Sequence, residues 1–107
     1  MARKKLDTLT EPMYYVLLAL TEERHGYGIM QYTHQLTDGR VNIGAGTLYA
    51  LLGRFEKEEL IHSTKEENKR KYYQLTDEGR KVLAEEFERL RRQVSDGVRV
   101  MRKEDGR

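Results

Sequence analysis

Apolar residues along this chain fall into stripes whose spacing changes from segment to segment, and each change marks a new element. The run from Met13 to Leu20 follows Thr10-Glu11-Pro12, a capping hydroxyl and a first-turn proline that together start a helix. Met13, Val16, Leu17 and Leu20 share one of its faces, and Tyr14, Tyr15 and Leu18 lie on the other. A short helix that is apolar on both sides needs cover on both. One cover is the domain's own core. The other is a partner subunit or a long C-terminal helix, unless the tyrosines only rest at the surface.

Glu22 to Gly26 interrupts the pattern. A second helix is predicted from about Tyr27 to Leu36, with Tyr27, Met30, Thr33 and Leu36 one turn apart and Asp38-Gly39 as its stop. After Val41 to Gly46, the segment Thr47 to Leu60 carries Leu48, Leu51, Leu52 and Phe55 at i, i+3, i+4 and i+7, which predicts a third, amphipathic helix. Two strands, Ile61 to Lys65 and Lys71 to Leu75, flank a polar stretch. Alternation sets Tyr73 and Leu75 on one face and Tyr72 and Gln74 on the other, and Asn68 is the residue expected at positive φ in the hairpin loop. Thr76-Asp77-Glu78 then opens a long helix to about Met101. Its stripe of Leu83, Phe87, Leu90, Val94, Val98 and Met101 steps by threes and fours like a packing seam, with Gly97 as a weak point.

Three helices, a hairpin and a long last helix give a mainly α (α+β) fold, a winged helix-turn-helix with a two-stranded wing and a C-terminal dimerisation helix. The expected division is a flexible basic N-terminus at 1–9, a winged helix-turn-helix DNA-binding domain at 10–75, the dimerisation helix at 76–102 and a disordered tail at 103–107. The last helix is too long for so small a core to cover, which again asks for a second subunit.

Composition narrows the chemistry. The 107 residues suit one domain, and acids nearly cancel bases at a net charge of +2, so any nucleic-acid surface has to be local. There is no cysteine, which excludes disulfides, thiolate catalysis and cysteine-ligated zinc. No apolar run approaches the roughly 20 residues of a membrane span, and Arg3-Lys4-Lys5 is not followed by the apolar stretch of a signal peptide. A cytoplasmic protein with no membrane partner is expected. His25, His34 and His62 are too scattered to hold a metal. Gly44-Ala45-Gly46 precedes a helix but lacks the strand and lysine of a phosphate loop. No enzyme, cofactor or metal is expected.

The third helix is where binding chemistry concentrates. Opposite its apolar stripe lie Gly46, Thr47, Tyr49, Ala50, Gly53, Arg54 and Lys57: small residues, hydroxyls and cations, with no carboxylate. A helix that enters the major groove needs close backbone approach and no negative charge facing phosphate. An ordinary solvated face is the alternative reading. Lys65, Lys69, Arg70 and Lys71 cluster at the hairpin against Glu66 and Glu67, as a phosphate-contacting wing or as a tip kept charged for solubility. Lys4 and Lys5 would add a phosphate contact or form a polar terminus.

His25-Gly26-Tyr27-Gly28-Ile29, Gly46-Thr47-Leu48-Tyr49, the run Phe55 to Ile61 and Lys71-Tyr72-Tyr73-Gln74-Leu75-Thr76-Asp77-Glu78-Gly79 together resemble PadR-type transcriptional regulators, over roughly Met13 to Leu90. The resemblance implies a homodimer joined through the first and last helices, and repression at a two-fold symmetric operator in double-stranded DNA. It also implies release by a small ligand or another signal. By position it makes Thr47 and Tyr49 groove or phosphate contacts and places Lys69, Arg70 and Lys71 in the wing. The single C-terminal helix is similar to the compact branch of the family, some of whose members bind flat aromatic compounds between subunits. Three departures stand out. Ala50 replaces a frequent proline. Glu59 stands where glycine is usual at a helix end. Leu90 lies near a position where some drug-binding members carry tryptophan.

The expected dimer interface is Tyr14, Tyr15, Leu18, Phe87, Leu90, Val94, Val98 and Met101. Tyr14, Tyr15, Phe87 and Leu90 are the candidate pocket for a small aromatic or hydrophobic effector, with plain interface packing as the other reading. The rival function is a winged-helix protein-interaction module without specific DNA binding.

Overall fold

The computed structural model describes residues 8–106. Its elements run α1 (Glu11–Ala19), β1 (Arg24–His25), α2 (Gly26–Leu36), α3 (Ala45–Lys57), β2 (Ile61–Glu67), β3 (Arg70–Leu75) and α4 (Asp77–Gly106). Lys4 and Lys5 lie outside the described residues.

Thr10 caps α1 as its sequence predicts: its Oγ1 accepts the Met13 N–H at 3.4 Å, and Met13 Sδ accepts the Thr10 N–H at 3.5 Å. Met13, Val16, Leu17 and Leu20 are buried, while Tyr14, Tyr15 and Leu18 are half-buried against the core. Leu9, expected within a flexible terminus, instead packs on that core and donates its N–H to Glu86 Oε2 at 3.4 Å.

Of the α2 residues spaced by threes, only Thr33 is fully buried. Gly26, Ile29 and Thr33 are buried, whereas Tyr27 and Leu36 are about half exposed. Steps of three drift backwards by about 60° each on a helix of 3.6 residues per turn, so Tyr27 and Leu36 end up on opposite sides. Gly26, Ile29 and Thr33 stay within one 60° arc, and that arc faces α1 and α3.

In α3, Leu48, Leu52 and Phe55 are buried and Leu51 is half-buried. The helix ends three residues before the expected Leu60. Glu59 takes φ 63°, the Leu60 N–H reaches back to the Phe55 carbonyl at 2.9 Å, and the Glu59 N–H to Glu56 at 3.0 Å. This is a Schellman stop with a glutamate in the left-handed position that favours glycine. Glu59→Gly is therefore expected to stabilise the domain by about 1 kcal/mol, the cost of a side chain at that φ. A lower denaturation midpoint in urea would contradict it.

The hairpin is joined by a third strand that alternation could not reveal, since β1 is only two residues long. The sheet order is β1-β3-β2, all antiparallel, with Arg24 opposite Tyr73 and His25 opposite Tyr72. Between β2 and β3 a bulge at Thr64 shifts the pairing, so that Ser63 faces Tyr73 but Lys65 faces Tyr72. Tyr73 and Leu75 point into the core as expected. Glu67 pairs with Arg70 across a two-residue loop in which Asn68 and Lys69 both have positive φ, 52° and 64°. Two such residues make the turn that matches the strands' right-handed twist.

Thr76 caps α4: its Oγ1 accepts the Gly79 N–H at 3.0 Å. The helix continues unbroken past Gly97 to Gly106, including positions 103–106, which were expected in a disordered tail. Its buried residues are Gly79, Val82, Leu83 and Glu86, all in the first third. Beyond them the helix stands clear of its own core.

Candidate nucleic-acid interface

The outward side of α3 carries the residues that the sequence singled out. Gly46, Thr47, Tyr49, Ala50 and Lys57 are exposed and Arg54 is half-buried. No acidic residue occupies the first turn of α3, and its Gly44 cap makes no side-chain hydrogen bond. Free N–H groups at a helix start, with no carboxylate to compensate them, favour an anion. Burial raises the Tyr73 pKa, the Lys71 charge opposes it, and the Glu56 carboxylate adds a smaller rise.

Tyr49 links α3 to the rest of the surface. It is 54% exposed, yet its ring and hydroxyl rest against Gly26 at the start of α2, where a Cβ would overlap them. A cleft of about 220 Å³ opens at this point, lined by His25, Gly26, Tyr27, Tyr49, Lys69, Arg70, Lys71 and Tyr73. Three of the wing's four expected cations thus meet the expected groove helix in one concavity.

Lys65 lies apart from that group. The bulge turns it to the Tyr72 side of the sheet, where its Nζ stands 3.5 Å from Glu67, 3.7 Å from Glu23 and 4.7 Å from the Tyr72 ring centre. The two carboxylates, Glu67 foremost, raise its pKa and meet its charge locally.

His25, Gly26 and Tyr27 entered this surface without being expected in it. His25 caps α2, its Nδ1 accepting the Gly28 N–H at 3.0 Å, and its Nε2 sits 3.2 Å from Arg70 Nη1. Burial, and then the Arg70 charge, hold its pKa below the ordinary imidazole value. The signal available in the sequence was the His-Gly-Tyr-Gly run itself, a polar break too short to read as a strand.

The expected interface and effector residues form a second surface on α1 and α4. The Tyr14 and Tyr15 rings meet edge-on at 5.5 Å, and the Tyr15 hydroxyl accepts from Arg40 Nη2 at 3.1 Å. Burial, with Tyr15 and Glu86 nearby, raises the Tyr14 pKa. Leu90 is half-buried, but Phe87 is 53%, Val94 65% and Met101 60% exposed on the single chain. Among the described residues no group of three or more His, Cys, Asp or Glu side chains could hold a metal, and no helix is long and apolar enough to cross a membrane.

Comparison with known proteins agrees with this architecture. Residues 16–85 match the model of the "Transcriptional regulator PadR-like family". An uncharacterised protein of Lysinibacillus sphaericus is 38% identical over 72 residues, a stretch covering 64% of this chain and 66% of that protein. This chain therefore spans about two thirds of that relative's length. A PadR family transcriptional regulator from Eggerthella lenta superposes with a TM-score of 0.65 at 35% identity, covering 84% of this chain and 80% of the other. A PadR-like regulator from Bacillus cereus gives the same TM-score at 34% identity, over 84% and 89%. With the family match spanning well over half its length, the chain belongs to the PadR-like family of DNA-binding transcriptional regulators.

Proposed function

We infer that the protein is a transcriptional repressor that binds a two-fold symmetric operator as a homodimer and is released by a small ligand or another signal. One observation supports the DNA contact: Tyr49, on the exposed side of α3, lines one cleft with the basic hairpin tip. Gly46, Thr47, Tyr49, Ala50 and Arg54 would approach the major-groove floor, and Lys57, Lys69, Arg70 and Lys71 would take backbone phosphate. Lys65 would contribute least, because two carboxylates already surround it.

Residues 10–75 carry the reading of DNA, and α4 carries pairing. The apolar stripe Phe87, Leu90, Val94, Val98 and Met101, continued by Tyr14, Tyr15 and Leu18, suits a second copy of this chain. A small aromatic or hydrophobic effector would enter between subunits at Tyr14, Tyr15, Phe87 and Leu90, where Leu90 offers packing but no aromatic stacking. Its binding would reset the separation of the two α3 helices, and the setting is cytoplasmic.

Selection of genomic fragments by the purified protein, followed by titration, tests this function. Arg54→Ala and Tyr49→Ala are each expected to weaken the selected site by about tenfold or more, in the range of one lost base or phosphate contact, with the dimer intact. Wild-type affinity should fall steeply with salt as counterions are released. Enrichment of no fragment, with no salt dependence, would instead indicate a winged-helix module that docks on protein.

A further inference from the structure

The pairing of His25 with Arg70 is chemically incomplete. A backbone N–H only donates, and a guanidinium only donates, yet the Gly28 N–H and Arg70 Nη1 face the two nitrogens of one imidazole at 3.0 and 3.2 Å. A neutral imidazole has one lone pair to offer and an imidazolium has none. One of the two donors therefore goes unmet.

The geometry decides which. Gly28 lies in the first turn of α2, and the His25 ring is held edge-on to Tyr72 at a centroid distance of 5.0 Å. Arg70 is an exposed side chain at the hairpin end, 6.0 Å from the Tyr27 ring. The lone pair stays on Nδ1 for the backbone cap, which leaves Nε2–H pointing at a guanidinium. Two donors then face a common space that no carboxylate lines. The charged groups that line this space are Lys69, Arg70 and Lys71, with the Tyr27, Tyr49 and Tyr73 phenols beside them and no carboxylate in the lining. Glu67, opposite Arg70 across the hairpin, is engaged by Lys65 at 3.5 Å.

We propose that this cleft seats a phosphodiester of the DNA backbone, one of whose oxygens accepts from both His25 Nε2–H and the Arg70 guanidinium. The inference rests on the DNA-binding reading above and deepens it. It adds His25 as a neutral donor that fixes register, and it accounts for the contact between β1 and the wing: the sheet carries the donor and the cation to one oxygen. Lys69 and Lys71 add charge at longer range.

The test uses the full-length dimer and a labelled duplex of mixed sequence, about 30 base pairs, at about 50 mM salt, where phosphate contacts dominate binding. His25→Asn keeps an oxygen that can cap Gly28 but removes the distant N–H. Its affinity should fall about tenfold, the lower end for a hydrogen bond to a charged acceptor, with an unchanged slope of log affinity against log salt. Arg70→Gln should lower affinity about tenfold and reduce that slope by about one. The double variant should lose less than the product of the two, because both act on one phosphate. A His25→Asn protein that binds like wild type overturns the seat. A nitrogen-15 spectrum of wild-type imidazole tests it without any variant: the Nε2–H tautomer is expected, and Nδ1–H would overturn it. Failure of the DNA reading looks different, because wild type itself would then ignore the duplex.

Discussion

Gly79→Ala is expected to destabilise the domain by about 3 kcal/mol, lowering the melting temperature by on the order of 15 °C. A Cβ at this position would overlap the Leu60 carbonyl oxygen and crowd Leu75 Cδ2. That carbonyl is not free to move. It accepts the Thr76 N–H at 3.0 Å, while Thr76 Oγ1 donates to the Glu59 carbonyl at 2.7 Å and accepts from Gly79 itself. The end of α3, the start of β2 and the start of α4 are thus tied together within one turn of chain. A methyl group there pushes α4 off the junction and breaks the cap and the Thr76–Leu60 bond together. The comparison variant is Gly53→Ala, in mid-α3, where a Cβ meets nothing within 4 Å. It is expected to gain about 0.5–1 kcal/mol, as alanine does over glycine inside a helix. Thermal denaturation of the pair checks both, and an unaltered midpoint for Gly79→Ala would refute the tight junction.

The same junction shows what sequence can and cannot reveal. Thr76-Asp77-Glu78-Gly79 announces a helix start, since a hydroxyl cap and first-turn acids act locally. Nothing local says that Gly79 also touches Leu60, because that contact is made by chain folding back. The α3 stripe was legible for the same reason as the cap: Leu48, Leu52 and Phe55 sit at helical spacing over about two turns. Spacing by threes does not mark the inward face of α2, because it leaves any one helical face within a few steps. Tyr73 and Leu75 were placed correctly by alternation, but the bulge at Thr64 turned Lys65 away from the other wing cations. A bulge depends on pairing between strands, which a single strand's pattern does not encode. His25 was hidden for a further reason: its importance lies in touching Arg70, 45 residues away in sequence.

If the protein pairs as proposed, Val94→Glu should leave it monomeric and cost operator binding by about a hundredfold or more. On the wheel, Phe87, Leu90, Val94, Val98 and Met101 fall within about 40° of Val94, so Val94 is the centre of the stripe. It is also 65% exposed on the single chain and lies two turns beyond Glu86, the last buried residue of α4. A carboxylate there meets only water in the monomer, so the winged domain keeps its helical circular dichroism. In a symmetric pair each subunit would bring one glutamate into the same apolar seam, and an unpaired buried charge costs several kcal/mol. Loss of pairing in turn removes the gain from engaging two half-sites at once, which reaches 10²–10⁴ for linked binders. Arg92→Glu is the matched control, since it places the same charge about 160° round the helix from Val94 and should leave a dimer. Sedimentation velocity reads the first outcome and operator titration the second. A Val94→Glu protein that sediments as a dimer would show that the long helix pairs along another face. The two copies of α3 would then be spaced differently from a pair joined at this seam, and the operator's half-site separation would change with them.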